Sequence, residues 1–126
     1  MLVWLLLGTV VYAVTLFVPS LFLVSTIGYG RYLGTRDDDP APAPRHGRAL
    51  RASRNFIENY PIFMGLGILA LVVPEADMAQ ASLGAMLFVL ARIAYLPLYI
   101  LAVPFLRSGA FVLGWIGTVL MGLALL

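Results

Sequence analysis

Apolar positions dominate this chain in four long runs, interrupted by three polar stretches of very different character. The runs cover roughly residues 2–28, 52–73, 79–103 and 109–126. Each approaches the ~20 residues that a helix needs to cross ~30 Å of hydrocarbon. The pattern predicts an all-α integral membrane four-helix bundle filling residues 1–126 as one transmembrane domain. The first run has no basic residue ahead of it and is too long for the apolar part of a signal peptide, so it reads as a retained helix.

Within the second run the polar positions are not scattered. Arg51, Arg54, Asn55 and Glu58 fall within about a third of the circumference of a helix advancing ~100° per residue. An unpaired charge in hydrocarbon costs ~2.5 to 3.5 kcal/mol on the lenient insertion scale, so this stripe must face protein, water or a ligand. In the third run Arg92, Tyr95 and Tyr99 recur at helical spacing on one face. Residue counting sets Glu58 and Arg92 within about 10 Å of the same membrane surface, which leads to the expectation that they neutralise each other directly or through a shared ligand. Pro97 and Pro104 free backbone carbonyls that a polar pocket can use. The bland alternatives are that Arg48, Arg51 and Arg107 snorkel at helix ends and that the two tyrosines belong to an interfacial belt.

Composition sharpens the picture. Of 126 residues, 62% are hydrophobic and only 11% charged, which leaves little material for a soluble domain. All basic residues are arginine. Arg31, Arg36, Arg45, Arg48, Arg51 and Arg54 flank the first connection and Arg107 sits at the third, whereas the second carries Glu75 and Asp77. By the positive-inside rule the first and third connections are cytoplasmic and both termini are not. The net charge of +2 reflects this orienting arginine, so nucleic acid is not an expected partner. The absence of cysteine excludes disulfides, thiolate metal sites and a cysteine nucleophile. His46, the sole histidine, has no carboxylates at ligand spacing, and no metal is expected. The connection over about 30–50 holds Asp37, Asp38 and Asp39 and prolines at 40, 42 and 44, a composition that favours extended, hydrated backbone, either a plain linker or a lid.

At these residues the chain resembles the MAPEG family, the membrane-associated proteins of eicosanoid and glutathione metabolism. The resemblance spans nearly the whole chain. It rests on four spans, a long first connection, R-x-x-R-N-x-x-E at Arg51, Arg54, Asn55 and Glu58, A-R-x-x-Y at Ala91, Arg92 and Tyr95, and the pair Arg107-Ser108. The wording RIAYLPLYILAVPFLRS, residues 92–108, looks like bacterial members, which implies a bacterial inner membrane. What the resemblance implies is a homotrimer that binds glutathione as co-substrate between subunits. Arg31, Arg51, Arg54, Asn55, Glu58, Arg92, Tyr95 and Tyr99 would hold the tripeptide, with Arg107 and Ser108 near its thiol. Similar enzymes are transferases, peroxidases or isomerases acting on lipophilic substrates that enter from the bilayer. Position 95 is Tyr where some relatives have His. Position 111 is Phe where similar glutathione-dependent eicosanoid enzymes place a Tyr, so thiol activation falls to Arg107, Ser108 and backbone amides. Guanidiniums plus one carboxylate complement the two carboxylates and one ammonium of glutathione. The competing readings are a non-catalytic accessory subunit of a larger membrane complex and, ranked last, a small transporter, since the first run has no charge before Arg31.

Overall fold

In a computed structural model that describes residues 1–126, the chain forms α1 (Leu2–Tyr32), α2 (Pro44–Val72), α3 (Met78–Ile100) and α4 (Pro104–Leu123). All four are long and apolar enough to cross a membrane. Four boundaries differ from the sequence expectation, each for a local reason. α2 starts at Pro44 rather than near 52, because proline at the first helical position gives up an N–H that has no intrahelical partner anyway. The Pro-Ala run is therefore helix-initiating at its end, and the connection shrinks to 33–43. α1 continues past 28 to Tyr32, but Gly28 breaks it with φ 78° and ψ 161°, a conformation reserved for glycine. α3 stops at Ile100, not 103. Leu101 and Ala102 turn the chain, Ala102 with φ 59°, and Pro104 opens α4 five positions ahead of the expected 109. Arg107 consequently lies in the first turn of α4 and Ser108 at the start of the second, neither in a connection.

α3 is the hub: it packs on α1, α2 and α4, while α1 and α4 do not touch. Helix association in lipid depends on close van der Waals packing, since the tails are as apolar as the side chains. The core supplies it through Phe63 and Phe88, stacked with ring centroids 4.3 Å apart, together with Leu5, Val89 and Met121. Tyr12 stacks on Tyr60 at 4.1 Å, and the Tyr60 hydroxyl shares a 2.7 Å hydrogen bond with Thr9.

The tightest approach lies between α3 and α4. A β-carbon on Gly84 would sit 2.5 Å from the Gly117 carbonyl oxygen, and one on Gly117 would sit 2.5 Å from the Gly84 oxygen. Gly114, Thr118 and Gly122 recur one turn apart along α4; the first two are buried, Gly114 against Ala91 and Arg92 of α3. Gly122 of the same series meets nothing within 4 Å. At the opposite end of α3, Asp77 accepts the Ala79 and Gln80 N–H groups at 3.0 Å and its own N–H donates to Ala124, tying the acidic connection to the end of α4.

Candidate functional site

The turn at Leu101–Val103 sets the first turn of α4 against the last turns of α3. Between them and α2 a cleft of about 250 Å³ opens, lined by Asn55, Tyr95, Tyr99, Arg107, Ser108 and Phe111. The Arg107 guanidinium lies 4.7 Å from the centre of the Tyr99 ring. Tyr95 meets Tyr99 edge-on at 5.4 Å and Phe111 at 6.4 Å. Arg48 fastens this end of the bundle from α2, donating its Nε–H to the Ile100 carbonyl at 2.7 Å. Ser108 donates its hydroxyl to the Pro104 carbonyl at 2.9 Å. A hydroxyl has one proton, so in this arrangement Ser108 only accepts from the cleft, and donating to a ligand requires rotation away from Pro104.

Behind the cleft lies Arg92, only 2% exposed. It donates from Nη1 to the Asn55 side-chain oxygen at 2.7 Å. Its guanidinium is surrounded by the rings of Phe88 at 5.0 Å, Phe56 at 5.4 Å, Tyr95 at 5.5 Å and Phe111 at 6.0 Å. Nε and Nη2 have no hydrogen-bond partner. The charge is thus held by π faces and one amide instead of a carboxylate. The expected direct Glu58–Arg92 pair does not form. Glu58 is exposed, and the one ion pair in the chain joins Arg36 to Asp39 at 3.8 Å. The cause is the rotation of α2. Its buried stripe runs through Ala49, Ala52, Ser53, Phe56 and Phe63, which brings Asn55 to the inner edge and swings Glu58, one turn on, toward the outside.

Of the residues singled out in the sequence, the structure gathers Asn55, Arg92, Tyr95, Tyr99, Arg107 and Ser108 at one end of the bundle. Arg51, Arg54 and Glu58 are exposed on the outer side of α2, within about one turn of Asn55. Arg31 stands apart at the end of α1, where it donates to the backbone carbonyl of Asp38. Sequence reasoning missed Phe56 and Phe88 as the walls around Arg92. The signal was present: Phe88 precedes Arg92 by one turn and Tyr95 follows it at i+3, so an arginine in an apolar helix brings rings of its own. No carboxylate lines the cleft, which leaves it with the positive potential of Arg107 and of the uncompensated Arg92 behind it.

Comparison with curated proteins gives no match. The model of the MAPEG family, by contrast, matches residues 1–126. That end-to-end match, laid over four membrane-length helices with a basic cleft at one end, means that the chain is an integral membrane protein belonging to the MAPEG family.

Proposed function

We propose that the protein binds glutathione and uses it as co-substrate against lipophilic electrophiles or hydroperoxides drawn from the bilayer. The observation that carries this reading is the cleft itself: Arg107, Tyr99, Tyr95 and Asn55 converge on it, backed by an arginine without a carboxylate partner. Such a site attracts an anion with hydrogen-bonding arms. Arg51, Arg54 and Glu58 extend the polar surface outward from Asn55, where a neighbouring subunit of a homotrimer would close over them and over the tripeptide. The carboxylate of Glu58 then answers the ammonium of glutathione and the guanidiniums answer its carboxylates. Arg31 would come from the adjoining subunit.

A free thiol has a pKa of about 8.5, so only a few per cent is thiolate near neutral pH. Arg107 is the group in the cleft that can favour the thiolate by charge, and Phe111 beside it has no hydroxyl to add. The bilayer in question is a bacterial inner membrane, with both termini on the non-cytoplasmic side. The deciding experiment is thermal unfolding of the purified protein with glutathione and with an amino-acid mixture of equal charge. At ten times the dissociation constant, glutathione should stabilise by about 1.4 kcal/mol and the mixture should not. Equal responses would refute binding and favour an accessory subunit, in which the basic cleft serves assembly with a larger membrane complex.

A further inference from the structure

A second polar cleft, on the α1 side of α2, has no part in the reading above. It measures about 430 Å³ and lies between Ser25 and Thr26 of α1, above Phe22, and Arg45, His46 and Arg48 in the first turns of α2. We propose that it binds a phosphate group, carried on a phospholipid headgroup or free in solution.

Three independent features of the cleft point to an anion. The first is the open end of α2. Gly47 makes the first intrahelical bond, to Ala43 at 2.8 Å, and the N–H groups of Arg45 and His46 ahead of it have no backbone acceptor. The second is His46. It borders the cleft and is 8% exposed, and its ring makes no hydrogen bond within the chain. On its other side His46 borders the space under the 33–43 connection, where one Asp39 oxygen faces Arg36 at 3.8 Å and the other has no hydrogen-bond partner. The third is the supply of further donors. Arg48 spends its Nε on Ile100 and keeps its two terminal nitrogens, and Arg45 is exposed and unpaired. Ser25 and Thr26 both donate to the single Phe22 carbonyl, at 2.7 and 3.0 Å, so either can turn to the cleft while the other keeps that carbonyl satisfied.

Depth suits a headgroup. α1 runs as regular helix from Leu2 to Ile27 before the break at Gly28, about 39 Å against ~30 Å of hydrocarbon, so its last turn before the break emerges from the apolar layer. Ser25 and Thr26 lie in that turn, near the boundary, with Phe22 one turn deeper to meet the first acyl carbons. Two guanidiniums, an imidazole and two hydroxyls line the cleft, more donors than the two oxygens of a carboxylate use and a set suited to the several oxygens of a phosphate.

The test uses the full chain and variants Arg45→Gln, His46→Gln and Ser25→Ala. In one arm, native mass spectrometry compares retention of phosphatidylglycerol with that of diacylglycerol of the same acyl chains. In the other, thermal unfolding is followed against inorganic phosphate at constant ionic strength. The wild type should prefer the phosphate-bearing probe, and Arg45→Gln and His46→Gln should each lose about tenfold in apparent affinity. Loss in the lipid arm identifies a headgroup, and loss in the phosphate arm alone identifies a free anion. Arg45 is exposed, so its variant remains informative even where His46→Gln, at a buried position, weakens the fold. Variants that match the wild type in both arms overturn the site. Stabilisation of Arg45→Gln by glutathione should be unchanged, which separates this site from the cleft at Arg107.

Discussion

Replacing Gly117 with alanine tests the packing that positions the cleft. The new β-carbon would fall 2.5 Å from the Gly84 carbonyl oxygen, 2.8 Å from the Phe88 nitrogen and 3.3 Å from the Leu87 β-carbon. The two closest atoms belong to the backbone of α3, so no side-chain rotation relieves them. Restoring ordinary contact requires α3 and α4 to part by about 1 Å, a gap that forfeits a quarter to a half of each dispersion well along the crossing. The expected cost is about 1–3 kcal/mol, the usual range for overpacking. Gly122→Ala supplies the control on the same helix, because its β-carbon meets nothing within 4 Å; improved helix propensity there should leave stability unchanged or raise it by up to about 1 kcal/mol. Unfolding of both variants in mixed micelles, titrated with a denaturing detergent and followed by circular dichroism, measures the difference. The parting of the helices also displaces Phe111, about 9 Å along α4 from Gly117, relative to Tyr95, so glutathione-dependent stabilisation should fall in Gly117→Ala alone. Equal stability of the two variants to within about 0.5 kcal/mol would show that the crossing is looser than described and refute the reasoning.

Four further outcomes are expected. Phe111→Tyr should raise glutathione-dependent turnover by about tenfold, by placing a hydroxyl beside Arg107, and Arg107→Ala should lower it by at least as much; thiolate absorbance against pH in each variant checks the cause. Arg92→Lys should destabilise by about 1–2 kcal/mol in the same detergent titration, since an ammonium cannot lie flat among four rings and also reach Asn55. Ala102→Gly should stabilise by about 0.5 kcal/mol, because the residue sits at φ 59° and glycine removes the strain at some cost in unfolded-chain entropy. A reporter fused after Leu126 should be active only outside the cytoplasm, and cytoplasmic activity would reverse the proposed orientation.

The four spans were legible because lipid imposes a coarse rule, twenty apolar residues in a row, that tolerates errors at the ends. The ends themselves were not. Pro44 and Pro104 each open a helix, yet the sequence suggests a linker proline for the first and a carbonyl-freeing proline for the second, since proline serves turns, kinks and helix starts alike. The polar stripe on α2 was legible as a stripe, but its rotation toward the neighbours was not; that depended on Ala49, Ala52 and Phe56, small and aromatic residues that look unremarkable in an apolar run. Three residues along a helix turn it by about 300°, and that was enough to exchange a Glu58–Arg92 ion pair for an Asn55–Arg92 amide contact. The Gly84–Gly117 crossing was equally hidden, because helical spacing shows which small residues share a face and says nothing of which helix they meet.

The ring of aromatics around Arg92 also bears on how the chain enters the membrane during synthesis. Phe88 and Tyr95 are carried by α3 itself, so the helix brings part of the shelter for its own charge as it inserts. Phe56 and Asn55 have been made before it and wait in α2. Phe111 arrives last, with α4. The unfavourable transfer of a guanidinium into hydrocarbon is therefore divided into stages that follow the order of translation, and a chain arrested before α4 would leave one side of that arginine open to lipid.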